Sequence, residues 1–193
     1  MYFQYGDKEI EYLRSKDKKL AEVIDKVGHI DRTVDTDLFS SVVHHIIGQQ
    51  ISTKAQQTIW LRMNEKYGHV TPEVIDSADA AELQSLGMTF RKAEYIKDFS
   101  HKVVSGEFSL DAVWHMSDEE AGEALSSLKG VGVWTAEMIL LFCMQRSDIL
   151  SFGDLAIQRG MRMVYHHRKI DKKLFEKYRR RLSPYGSTAS LYF

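Results

Sequence analysis

The sequence predicts an all-α fold, on three observations. Apolar residues recur at helical spacing, helix start and stop signals bracket those runs, and short alternating strand patterns are nearly absent. Only two prolines interrupt the 193 residues, so long helical stretches are uninterrupted. About ten helices joined by short turns are expected.

Taken in order, the first clear stripe is Phe39, Val42, Val43, Ile46 and Ile47, which follows the i, i+3, i+4, i+7, i+8 rule. Gly48-Gln49-Gln50-Ile51 then breaks the pattern, and Ser52 or Thr53 can cap the next helix. Gly68 reads as that helix's stop, and Thr71-Pro72 starts another with proline at its first position. Leu83-Gln-Ser-Leu86 stops at Gly87 and leads to Ala93-Glu-Tyr-Ile96. Ser117-x-x-Glu120 is a capping box. Leu125-Ser-Ser-Leu128 runs into Lys-Gly130-Val-Gly132 and on to a second stripe, Ala136, Ile139, Leu140, Cys143 and Met144. The two copies of this Leu-x-x-Leu, turn, Ala-Glu-x-Ile pattern echo each other, but only the second has the Gly-x-Gly turn. The first reads as structural, although Arg91 and Lys92 lie where they could reach a phosphate. Asp154 before Leu155-Ala-Ile-Gln has the position of an N-cap. The chain ends at Leu191-Tyr-Phe193 without a stop signal.

Composition sets the outer bounds. At 44% apolar and 27% charged residues, this is an ordinary globule, with no apolar run near the roughly 20 residues that span a bilayer. The N-terminus is charged from Asp7 onward and shows no signal peptide. Cys143 is the only cysteine, which excludes an intrachain disulfide and a four-cysteine zinc or iron–sulfur site. A reducing cytoplasm is the expected compartment. Net charge is −1, but residues 159–181 hold ten Lys or Arg against Asp171 and Glu176, a balance of +8. Residues 1–158 therefore carry −9. Such a stretch is either a solvated helix face or a surface for a polyanion.

The glycine turn carries the most information. Its glycines allow positive φ and close approach of the backbone to a ligand. The helix that follows opens with amide groups lacking intrahelical acceptors, and these with the dipole bind phosphate. Many helical corners also use glycine, so the turn alone leaves a plain corner open. Leu128-x-Gly130-x-Gly132-x-x-Thr135-Ala136, followed by Asp154 20 residues after Trp134, resembles the helix-hairpin-helix of the HhH-GPD DNA glycosylases. Gly48-Gln49-Gln50-Ile51-Ser52 is similar to the minor-groove turn of alkylpurine glycosylases in that family. Ser183-Pro184-Tyr185-Gly-Ser-Thr-Ala189 matches a Pro-aromatic-x-Ser-x-Ala segment of its AlkA-type DNA-3-methyladenine glycosylases. The matches run from about Leu38 to Tyr192, without room for the N-terminal sheet domain of larger members.

This resemblance implies two helical lobes flanking an active-site cleft. Residues 1–34 begin the terminal lobe, and 35–150 form a central lobe whose hairpin spans 125–145. Residues 151–193 complete the terminal lobe. It implies that Asp154 is the catalytic carboxylate, an alternative to simple capping, with Arg159 at a DNA phosphate. The family usually has proline two residues before that aspartate, where this chain has Phe152. Trp134, Met138 and Tyr185 would line a base pocket, or else serve the core. Gln49, Gln50, Ile51 and Ser52 would fill the gap left by an extruded nucleotide, or else form a plain turn. Gly130, Gly132, Val133 and Thr135 would hold phosphate. Carbonyls of Ser126, Leu128 and Val131 would hold a monovalent cation, K+ or Na+. No other cofactor and no iron–sulfur cluster is implied.

Trp134 stands where lyase members carry their imine-forming lysine. Tryptophan forms no imine, so the expected activity is monofunctional hydrolysis of the N-glycosidic bond of alkylated purines of the 3-methyladenine and 7-methylguanine type. The partner is double-stranded DNA carrying alkylated bases and the reaction would initiate base excision repair. The enzyme would act as a monomer, away from membranes, at the nucleoid if bacterial. Two alternatives stand beside this: a noncatalytic helix-hairpin-helix DNA-binding module, and a glycosylase of the same fold acting on another damaged base.

Overall fold

The computed structural model describes residues 1–193 as thirteen helices with one isolated antiparallel bridge, Tyr2 with Thr33. They are α1 (Asp7–Lys16), α2 (Lys18–Val27), α3 (Leu38–Gly48), α4 (Thr53–Tyr67), α5 (Pro72–Ser77), α6 (Ala80–Ser85) and α7 (Phe90–Val104). After these come α8 (Leu110–His115), α9 (Asp118–Ser126), α10 (Val133–Phe142), α11 (Leu155–Tyr165), α12 (Lys172–Leu182) and α13 (Gly186–Ser190). The count exceeds the expected ten because α5, α6, α8 and α13 have only five or six residues, too few to show a period. No helix is long and apolar enough to cross a membrane.

The expected start signals lie at helix starts. Ser52 Oγ accepts from Ala55 N–H, Thr71 caps α5 ahead of Pro72, and Ser117 with Glu120 closes the capping box of α9. Gly68 ends α4 at φ 69°.

The chain divides into two compact units. The first combines Met1–Val34 with Leu140–Phe193, and the second is Asp35–Ile139. The second division falls inside α10, ahead of the expected boundary at residue 150, because residues 140–150 pack with the terminal segment. Leu150 belongs to its core, Gln4 N–H donates to Gln145 Oε1 at 2.9 Å, and Arg32 lies over the Phe142 ring.

In the first unit, Leu13, Leu20, Ile24, Ile157, Met161, Phe175 and Leu182 form the buried cluster. Each such side chain contributes roughly 1.5–3 kcal/mol through burial. A polar node lies at its edge. Asp17 caps α2 through Oδ1, while its Oδ2 accepts from Tyr165 Oη at 3.1 Å and Arg181 Nη1 at 2.8 Å. In the second unit, α3 is buried on most sides, and Phe39 stacks on Phe99 of α7 at 5.2 Å. That burial fixes the axis of α3 and therefore the position of the turn at its end.

Candidate DNA-binding and catalytic site

The glycine turn joins α9 to α10 in the second unit. Leu128 and Val131 are buried and pin it, with Val131 N–H on Leu128 O at 3.0 Å. Only the first of the two glycines takes positive φ, Gly130 at 82°. A Cβ there would stand 2.3 Å from the Tyr95 ring, so Gly130 is glycine for both conformation and space. Gly132 has no atom within 4 Å of an added Cβ and stands exposed. Its carbonyl accepts the first helical bond of α10, from Ala136 N–H at 2.9 Å. An exposed helix start with a bare approach is the geometry suited to an anion.

Val133 and Trp134 are exposed on the first turn of α10, at 68% and 45%. Thr135 and Met138 are buried. A monovalent cation takes backbone carbonyls of the kind that Ser126, Leu128 and Val131 provide, and Leu128 O also holds Val131 N–H. No group of three or more His, Cys, Asp or Glu is assembled anywhere to hold a metal.

The turn after α3 is tied to the glycine turn. Gln49 donates its side-chain Nε2–H to Gly130 O at 2.6 Å, across 81 residues of sequence. Lys92 Nζ donates to Ile47 O at 2.8 Å and to Gln49 O at 2.5 Å. Of the two glutamines, Gln49 therefore spends a donor inside the protein. Gln50 sits exposed at φ 58°, strained for a residue with a side chain, and Ile51 is 38% exposed beside it. Gln50 and Ile51 are the exposed tip of this turn. His44 packs at a tilt on Trp60 with ring centroids 4.1 Å apart, and His45 is mostly buried with Nδ1 at Ser41 O. Burial holds the His45 imidazole below its usual pKa.

In the first unit, Asp154 caps α11, with Oδ1 accepting from Ala156 N–H at 2.7 Å and Ile157 N–H at 3.2 Å. The loop before it is held without proline. Gln158 Nε2 donates to Phe152 O at 2.6 Å, and the Phe152 ring packs edge-on against Phe175. Leu155 and Arg159 stand exposed on the same helix end. Tyr185 is half-buried, edge-on to Tyr12 at 5.1 Å. Its segment is fixed by Asp148, whose Oδ1 accepts from Gly186 N–H and Oδ2 from Ser183 Oγ–H. The basic stretch is partly neutralised, since Arg181 pairs with Asp17 and Arg179 with Glu176.

Sequence reading missed Lys92 as a cap, Tyr95 beneath Gly130, and Asp148 behind Tyr185. None has a local signal, because each partner lies tens of residues away. The echo between the two Leu-x-x-Leu segments was the one pointer to α7.

With this geometry in place, the comparisons are specific. The model of a family described as the HhH-GPD superfamily base excision DNA repair proteins matches residues 43–184. DNA-3-methyladenine glycosylase 1 of Schizosaccharomyces pombe is 28% identical over 159 residues, covering 80% of this chain and 70% of the relative. The crystal structure of a DNA-3-methyladenine glycosidase from Bacillus halodurans superposes with a TM-score of 0.89 at 31% identity, over 100% of this chain and 90% of that one. The Schizosaccharomyces pombe 3-methyladenine DNA glycosylase Mag1, in complex with abasic DNA, gives 0.81 at 27% identity, over 96% and 94%. The chain belongs to the HhH-GPD superfamily of base excision DNA repair proteins.

Proposed function

We propose that this chain is a monofunctional DNA glycosylase, acting as a monomer, that hydrolyses the N-glycosidic bond of alkylated purines in duplex DNA. The substrates are bases of the 3-methyladenine and 7-methylguanine type. The observation that carries the proposal is Asp154, a carboxylate held by two backbone amides at the exposed head of α11. The names of the relatives support the same reading.

A purine alkylated at N3 or N7 is cationic and already a good leaving group, so little acid catalysis is required. As the bond breaks, the sugar gains oxocarbenium character. The Asp154 carboxylate stabilises that charge and orients the attacking water. Trp134, Met138 and Tyr185 are the proposed pocket residues, and an aromatic face favours a cationic base by about 0.5–2 kcal/mol. Extruding the nucleotide costs a few kcal/mol, less for a damaged base. Gln49, Gln50, Ile51 and Ser52 form the turn that fills the gap, with Ile51 supplying apolar surface in place of lost stacking. Amides of Gly132, Val133 and Thr135 and the Arg159 guanidinium take phosphates, with Gly130 shaping the turn. A monovalent cation on the carbonyls of Ser126, Leu128 and Val131 would add positive charge beside the phosphate.

The test is Asp154→Asn. Asparagine is as good an N-cap as aspartate, so the fold and α11 persist. Release of free base from methylated duplex DNA should be lost, while binding to abasic-site DNA remains. Normal base release by the variant refutes the assignment. Borohydride should trap no covalent adduct with the wild-type chain, and a trapped adduct would mean a lyase lysine elsewhere. DNA binding without any base release by the wild type would mean a noncatalytic binding module.

A further inference from the structure

The first copy of the repeated pattern has no glycine-rich turn and no role in the function proposed above. Its helix, α7, nevertheless touches both turns that would meet DNA. Lys92 and Tyr95, three residues apart and so on one helix face, lie in its first two turns. Lys92 Nζ holds the carbonyls of Ile47 and Gln49 at the end of α3. Tyr95 lies against Gly130, and its hydroxyl accepts from Arg91 Nε–H at 2.5 Å. Gln49 closes the loop, since the residue whose carbonyl Lys92 holds donates its own side chain to Gly130 O. Thr89 caps α7 and fixes the register of this face.

We infer that Lys92 is a positioning residue that, with Gln49, locks the gap-filling turn to the phosphate-binding hairpin as one rigid element. This rests on the wedge and hairpin roles proposed above. A hairpin anchored on a backbone phosphate would then carry Gln50 and Ile51 into the helix at a fixed offset, and their strained tip would not relax away. Burial lowers the Lys92 ammonium pKa, in keeping with a group committed to protein carbonyls. A lysine that contacted a DNA phosphate directly would instead appear in the salt dependence of binding, at about 0.9 of slope per contact.

The experiment uses the full chain and a duplex containing a tetrahydrofuran abasic analogue opposite 2-aminopurine. Fluorescence anisotropy across a salt series gives affinity and slope, and 2-aminopurine emission at saturating protein reports insertion of the turn. With Lys92→Met, affinity should fall about threefold or less and the salt slope should stay unchanged. The emission response should drop by half or more, and Lys92→Arg should restore it. Gln49→Glu, which sets a carboxylate oxygen against the Gly130 carbonyl, should give the same loss through the other link, and serves if Lys92→Met fails to fold. A full response in both variants overturns the inference while leaving the wedge reading intact. So does a slope reduced by about 0.9, which would make Lys92 a phosphate ligand, or failure of Lys92→Arg to rescue. No response from the wild type bound to this duplex overturns the wedge reading itself, and the inference with it.

Discussion

The two glycines of the hairpin should respond oppositely to alanine. At Gly130, φ of 82° costs an L-residue about 1–2 kcal/mol. The new methyl would stand 2.3, 2.9 and 3.1 Å from three carbons of the Tyr95 ring, which is tethered through its hydroxyl to Arg91. Overpacking of that kind costs about 1–3 kcal/mol. Gly130→Ala should therefore lose about 2–5 kcal/mol, a Tm drop of roughly 4–20 °C at 2–4 °C per kcal/mol for a chain of this size. Gly132 has open space and no positive φ, so Gly132→Ala should melt with the wild type. Under the proposed phosphate role it should instead weaken DNA binding about tenfold, or 1.4 kcal/mol, by placing a methyl where a phosphate would approach. Thermal melting followed by circular dichroism reads the first effect and anisotropy with a duplex the second. Adding Tyr95→Ala should recover the packing part of the Gly130→Ala loss and leave the φ part, a coupling of about 1–3 kcal/mol. If both alanine variants lose equal stability, or Gly130→Ala loses none, the argument from φ and the Tyr95 ring is wrong.

Arg181→Ala should cost about 1–3 kcal/mol in urea denaturation, because the Asp17 side chain is only 3% exposed and loses a charge-assisted donor while keeping Tyr165 and two amides. Lys18→Ala, on an exposed neighbour, should cost a few tenths of that; equal losses would mean Asp17 needs no partner. At alkaline pH, burial raises the pKa values of Tyr165, beside Asp17, and of Tyr192. The fold then holds these protons more tightly than the unfolded chain. Their contribution is whole below about pH 10 and is lost as pH climbs above it. Tyr165→Phe should flatten that alkaline limb of Tm against pH. His45 works in the other direction, since burial keeps it neutral in the fold. Its contribution is whole above about pH 6.5 and declines as pH falls below that. His45→Gln should flatten the acid limb, and an unchanged slope would assign acid unfolding to other groups.

What the sequence made legible was local. A capping box such as Ser117 with Glu120, proline at the head of α5 and glycine at the end of α4 act within one helical turn, so spacing alone finds them. The hairpin, Gln50, Ile51 and Asp154 belong to the same class. The short helices α5, α6, α8 and α13 escaped as periods because two turns or fewer leave no repeat to count. The couplings escaped for a different reason. Gln49 to Gly130 spans 81 residues, and Asp17 to Arg181 spans 164. Such pairs exist only after the helices pack, and nothing in the flanking residues records them. Charge counting suffered likewise. The balance of +8 over residues 159–181 overstates the free positive surface, because it already counts Glu176 but not Asp17 in α2, to which Arg181 is committed.

Capping and catalysis look like rival explanations of Asp154, yet under the function proposed above the first is a condition for the second. A carboxylate that stabilises charge developing on a sugar must be held within a fraction of an ångström, and a short side chain on an exposed loop is ordinarily mobile. The amides of Ala156 and Ile157 remove that freedom through Oδ1. They leave the group at a helix N-terminus, where the dipole complements an anion. Gln158 and Phe152 hold the loop from behind, a task the family's usual proline performs by fixing φ. A capping aspartate is common, and most do no chemistry. Here the loop before it is braced twice, and the helix it opens presents Leu155 and Arg159 outward, in keeping with the proposed role. Asp154→Glu carries this reasoning to its limit. It keeps the charge, adds one methylene and loses the cap, so it should resemble Asp154→Asn in base release while losing about 1 kcal/mol of stability. If glutamate instead supports near-normal release, charge alone suffices and the cap is incidental to the chemistry.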